Sequence, residues 1–176
     1  MIDFSHNHFE LFGLPQRFRF DPDLLDRAYH DLQGAVHPDR FAAAGATEQR
    51  LALQSSARVN EAYRALKDPV TRAQYLLSLR GIEAFSETDT SLAIDFLERQ
   101  LERREDAGDA AAAGDARTLE VLLAAVRAES AHLEQRVEAL LDTEASWDLA
   151  RQRVRELKFL QKFAADIDAM LSQLDD

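Results

Sequence analysis

There is no cysteine anywhere in the 176 residues. Disulfides are therefore excluded, and so is thiolate ligation of zinc or of an iron–sulfur cluster. No stretch approaches the roughly 18 to 20 continuous apolar residues that a membrane span needs. The opening residues, Met1 to His8, lack the basic start and apolar run of a secretory signal, so the expected location is the cytoplasm. Basic residues are outnumbered, 21 Lys and Arg against 32 Asp and Glu, and they are scattered among acids. A nucleic-acid binder needs a concentrated basic face; a chain of net charge −11 without one is expected to meet proteins instead. Strand-like alternation is missing too, and all four prolines fall at loop or helix-start positions.

What is there is enough apolar material to fold, 46% of residues, arranged almost throughout at helical spacing. A short helix is expected over His8 to Phe12, stopped by Gly13, Leu14 and Pro15. Asp21-Pro22-Asp23 is a strong helix start, with a capping carboxylate, a proline in the first turn and another acid behind it. From there Leu24, Leu25, Ala28, Leu32, Ala35 and Val36 repeat at three- and four-residue steps. This helix must end by Val36, because a residue before proline avoids helical dihedrals. After a small-residue loop, Thr47 is expected to cap a second long helix with a stripe of Ala52, Ser55, Val59, Ala62, Tyr63 and Leu66. The pair predicts an antiparallel hairpin. Asp68-Pro69 repeats the capping logic for a shorter helix ending near Arg80-Gly81.

A linker-like stretch follows from Glu83 to Thr90, with Ser86 and Asp89 spaced as a capping-box variant. Three further helices are expected, Ser91 to about Ala107, Ala116 to Leu141 and Glu144 to Leu174, with Gly108 and Gly114 bracketing an alanine-rich turn. The second carries Leu119, Leu122, Val126, Leu133, Val137 and Leu140. The third carries Trp147, Ala150, Val154, Leu157, Leu160, Ala164, Ile167 and Leu171. The predicted fold class is all-α: residues 1–80 as one module, 81–90 as linker and 91–176 as an antiparallel three-helix bundle.

One tripeptide stands out between the two long N-terminal helices: His37-Pro38-Asp39. Alone it reads as a helix stop. Its setting is more specific: a short aromatic helix (His8, Phe9, Leu11, Phe12, Gly13), the amphipathic helix, the tripeptide, then Asn60-Glu61-Ala62-Tyr63-Arg64-Ala65-Leu66-Lys67-Asp68-Pro69 and Arg72-Ala73-Gln74-Tyr75. This order, over about residues 6 to 80, resembles the J-domain of DnaJ-type co-chaperones. The resemblance implies that the loop docks on an ATP-bound chaperone of the DnaK type, with polar contacts from His37 and Asp39 and with Pro38 holding the loop shape. Arg27 and Arg40 complete the implied chaperone-binding set. ATP would belong to the partner. The helix before the loop departs from the family's basic face, since Asp23, Asp26 and Asp31 dilute Arg27 and His30, which favours a specialised partner.

The full length resembles the HscB family, the J-proteins of bacterial iron–sulfur cluster assembly. The matching blocks are Phe9-Glu10-Leu11-Phe12-Gly13-Leu14-Pro15, Arg72-Ala73-Gln74-Tyr75-Leu76-Leu77-Ser78-Leu79, Asp95-Phe96-Leu97-Glu98-Arg99-Gln100-Leu101-Glu102 and Val154-Arg155-Glu156-Leu157-Lys158-Phe159-Leu160. Geometry supports a surface here: at about 100° per residue Leu97, Leu101 and Glu105 share a face flanked by Glu98 and Glu102. With the core stripe of the last helix centred on Leu157, Phe159 is expected on its solvent side, with Phe163 one turn later. The resemblance implies that Leu97, Leu101, Glu102, Glu105 and Phe159 bind an iron–sulfur scaffold protein of the IscU type, and that the chaperone partner is HscA-like. It implies neither a cofactor nor a bound metal, and no enzymatic activity of the chain itself. Three rival readings are a metal-dependent hydrolase using His6, His8, His30, His37 and Asp39, a generic J-domain protein with another, unfolded client, and a plain helical adaptor in which the His-Pro-Asp loop is incidental.

Overall fold

A computed structural model describes residues 2–85 and 92–174. Among these the regular structure is entirely helical: α1 His8–Leu11, α2 Pro22–Val36, α3 Ala46–Lys67, α4 Pro69–Ser78, α5 Ile94–Ala112, α6 Ala116–Asp142 and α7 Trp147–Leu174, with a single 3-10 turn at Pro38–Phe41. The chain divides into two compact units, Met1–Arg80 and Gly81–Asp176.

Local chemistry sets most boundaries of the first unit. Asn7 and Glu10 form a reciprocal capping box on α1, and Gly13 turns the chain out of it in the left-handed region at φ 63°. The Asp21 carboxylate accepts from Asp23 N at 3.0 Å and the Asp68 carboxylate from Thr71 N at 2.8 Å, so both Asp-Pro starts are capped as expected. Thr47 does not cap α3. The helix begins two residues earlier than that cap implies, at Ala46, with Gly45 in the cap position and no side-chain bond. The α2 stripe is also rotated from the expectation: Leu25 and Val36 are buried, whereas Leu24 and Ala35 are exposed. The reason is a single partner. α2 lies on α3, so only a narrow face through Leu25, Tyr29, Leu32 and Val36 can be covered, and Leu24 falls outside it. On α3 the buried set is Ala52, Ser55, Val59, Ala62 and Leu66. α4 ends at Ser78, and the left-handed residue is Gly81 at φ 74°.

In the second unit α5, α6 and α7 pack around Phe96, Ala107, Ala110, Leu119, Leu123, Val126, Leu160, Phe163 and Ile167. α5 runs through Gly108 to Ala112, correcting the expected alanine-rich turn. Alanine is the best helix former and a lone glycine costs only about 1 kcal/mol, so the helix continues until Gly114, which takes φ 69°. α7 starts at Trp147, later than expected, because Ala145 adopts φ 52° in the turn from α6. On α6, Leu123 and Leu141 join the core while Leu122 and Leu133 are half-buried. The Ser86/Asp89 capping box and the Ser91 helix start lie outside the described residues.

Candidate functional site

Two surfaces, one in each unit, hold the residues singled out in the sequence. The first is the turn at the end of the α2–α3 hairpin. Its placement is fixed by a polar seam between the helices. Tyr29 and Tyr63 stack with centroids 4.0 Å apart. Tyr29 Oη and Gln33 Nε2 donate to Asn60 Oδ1 at 2.9 and 2.7 Å, and Ser56 Oγ donates to Gln33 Oε1 at 3.3 Å. At the far end Lys67 Nζ donates to both Asp26 carboxylate oxygens at 2.7 Å, and Tyr63 Oη adds a bond of 3.1 Å. Lys67 and then Tyr63 hold the Asp26 carboxyl below its ordinary range, and the lysine is raised in return. Such paired bonds fix register, which an apolar seam alone specifies weakly.

His37 has the extended dihedrals that a following proline imposes, φ −58° and ψ 127°, and Pro38 opens the 3-10 turn. Asp39 N donates to His37 Nδ1 at 3.3 Å, and Asp39 Oδ2 lies 3.6 Å from the same nitrogen. The Asp39 side chain is 91% exposed, so its carboxylate is free to accept from a partner. Arg40 folds back to donate to Gly34 O at 2.9 Å, while Gln49 Nε2 donates to Ala42 O and Ala44 O at 3.0 Å and ties down the loop beyond. The turn therefore gathers His37, Pro38, Asp39 and Arg40. Arg27 is exposed on α2 but ten residues back, about 15 Å along the axis, and is not part of this cluster.

The second surface is the outer face of α5. Leu97 is 42% and Leu101 61% exposed, and Glu98, Glu102 and Glu105 are exposed beside them, as the helical spacing predicts. The aromatic expectation is corrected. Phe163 is a core residue at 1% exposure, and Phe159 is half-buried, standing edge-on to Phe96 at 5.6 Å and 81°. α7 is covered by α5 as well as α6, which widens its buried arc beyond the stripe centred on Leu157. Phe159 sits at the rim of that arc. Sequence reasoning missed Arg104, whose guanidinium carbon lies 5.1 Å from the Phe159 centroid and 5.3 Å from that of Phe163. Its place seven residues after Leu97 was the available signal.

The histidines of the hydrolase reading do not assemble. His8 is buried and stacked on Tyr75 at 4.0 Å, and among the described residues no three His, Cys, Asp or Glu side chains group as metal ligands. No helix among the described residues is long and apolar enough to cross a membrane.

Known proteins resemble this chain over almost its whole length. A family model described as the HSCB C-terminal oligomerisation domain matches residues 93–168. The co-chaperone protein HscB homolog of Burkholderia cenocepacia is 44% identical over 175 residues, covering 99% of both chains. That of Paraburkholderia phymatum is 44% identical over 176 residues and covers 100% of both. Among solved structures, chaperone HscB from Vibrio cholerae superposes with a TM-score of 0.86 at 36% identity, over 96% of this chain and 99% of that one. The human co-chaperone protein HscB gives a TM-score of 0.88 at 26% identity, over 95% and 83% respectively. A J-domain hairpin with its His-Pro-Asp turn, joined to a helical C-terminal unit, defines a co-chaperone, a class without enzymatic activity of its own. Within that class the chain belongs to the HscB family.

Proposed function

We propose that this protein stimulates ATP hydrolysis by an HscA-like chaperone of the DnaK type and delivers to it an iron–sulfur scaffold protein of the IscU type, in the cytoplasm. The observation that carries the reading is the exposure of both candidate surfaces: Asp39 at the hairpin turn, and Leu97 with Leu101 on an acidic helix face. Asp39 would pair with a partner cation at an interface that becomes partly dry on docking, where such a pair is strong and its loss costly. Docking accelerates hydrolysis only if the turn binds the activated arrangement of the chaperone more tightly than the resting one. The scaffold would rest on Leu97, Leu101 and the rim of Phe159, with Glu102 and Glu105 selecting a locally basic partner. With no cysteine, the chain has no thiolate to offer a cluster, so the metal chemistry would stay with the scaffold. Holding both partners on one chain raises their effective concentration for each other.

The reading separates into two independent losses. Asp39→Ala is expected to abolish stimulation of the chaperone while scaffold affinity stays within twofold, as measured by calorimetry. Leu101→Ala with Phe159→Ala is expected to do the reverse. Equal loss of both activities in either variant rules out the two-surface model. Stimulation without any scaffold binding would favour the generic J-domain protein with another client.

A further inference from the structure

On the α5 face assigned above to the scaffold, one cation stands among the acids. Arg104 follows Leu97 by seven residues, so at about 100° per residue the two side chains leave the helix in almost the same direction. The Arg104 side chain is 41% exposed, yet it is held on three sides. Its guanidinium covers the ring of half-buried Phe159 at 5.1 Å and the ring of buried Phe163 at 5.3 Å, and Nη2 pairs with Asp166 Oδ2 at 3.2 Å. Phe96, a core residue, meets Phe159 edge-on from within. The Phe159 ring is thus set between a fixed apolar neighbour and a fixed cation.

We propose that Arg104 is a positioning residue, clasping Phe159 at the edge of α7 so that its ring is presented beside Leu97 and Leu101 for scaffold binding. This rests on the scaffold assignment of the preceding subsection. The physical case is one of preorganisation. An aromatic ring at the rim of a core can either fold inward or stand at the surface, and each ordering step left to the moment of binding lowers affinity. A planar guanidinium can lie on a ring face while its edge donates to a carboxylate, as the Asp166 pair does here. Lysine, a compact point charge, cannot span both partners. Arg104 therefore acts through Phe159, and its charge is already engaged by Asp166.

The test is a mutant cycle read by calorimetry with the metal-free IscU-type scaffold and the full chain. Arg104→Met keeps an unbranched apolar stem and is expected to weaken binding roughly two- to fivefold, from the modest strength of an exposed cation–ring pair. Arg104→Lys, which keeps the charge, is expected to weaken it equally. In a Phe159→Leu background the additional effect of Arg104→Met is expected to vanish. The Phe159 ring-proton resonances should move in Arg104→Met with no scaffold present, while the melting temperature stays unchanged. Full affinity in Arg104→Lys, or an undiminished effect in the Phe159→Leu background, would show direct charge attraction and overturn the positioning role. Wild-type affinity in Phe159→Leu and in Leu101→Ala overturns the scaffold assignment itself, and the role of Arg104 in binding falls with it. Loss of binding in those two variants with none in Arg104→Met overturns the positioning role alone.

Discussion

His8 and Gln100 show how much a single buried polar group can decide. The His8 ring lies flat on Tyr75, its backbone N–H donates to Tyr75 Oη at 3.0 Å, and its Nδ1 is buried with no hydrogen-bond partner among the described residues. Burial, and to a lesser extent Arg58, lowers its pKa below the ordinary 6.5, with Glu61 opposing. The folded state therefore prefers the neutral ring, and the unfolded chain takes up its proton first as pH falls. This contribution to stability is fully present above about pH 6.5 and is lost as pH falls through that value toward the lowered folded pKa. Denaturant titrations from pH 8 to pH 5 should show that fall, and His8→Phe should flatten it. Gln100 is 1% exposed, and neither polar atom of its side-chain amide has a partner among the described residues. An orphaned buried amide costs about 1 to 3 kcal/mol. Gln100→Met, of similar shape, is expected to raise the unfolding free energy by roughly that amount. An unchanged or lower melting temperature would contradict the packing described.

The two glycines of α5 and its exit carry opposite predictions, although the sequence treats them alike. Gly108 is helical and exposed, and a Cβ added there meets nothing within 4 Å. Gly108→Ala should stabilise the protein by about 0.5 to 1 kcal/mol, the ordinary helix-interior difference. Gly114 sits at φ 69°, so Gly114→Ala should destabilise it by about 1 to 2 kcal/mol. Thermal melts of the two variants should move in opposite directions. The same pair explains where sequence reading succeeds. Capping carboxylates at Asp21 and Asp68 act within a few residues, so those helix starts were legible. Gly108 looked like a break because its neighbours' helix preference had to be weighed against it, and the alanines won. The α2 stripe and the side chain of Phe159 depended on which helices cover a face, and a periodic pattern does not contain that information. Leu97 and Leu101 were legible because an apolar pair among glutamates at helical spacing is a poor core wherever the neighbours lie. Arg104 was not, since its partners Phe159, Phe163 and Asp166 come from a helix more than fifty positions away in the chain.

At the scale of the molecule, the chain is two separately built helical units, each with one exposed candidate surface. In the first, the polar seam from Asp26 to Ser56 sets the hairpin register and so fixes where the His37-Pro38-Asp39 turn stands. In the second, the α5 face presents apolar side chains that a self-sufficient fold would have buried. In the proposed function, joining the surfaces in one polypeptide would couple two binding events that neither unit could couple alone. The measurement that tests this most directly is steady-state ATP hydrolysis by an HscA-like chaperone, with this protein alone and then with an IscU-type scaffold added. The account predicts stimulation by the protein, a synergistic rise with scaffold, and loss of both in Asp39→Ala. Rates that stay at the chaperone's basal level, or a rise that survives Asp39→Ala unchanged, would contradict it.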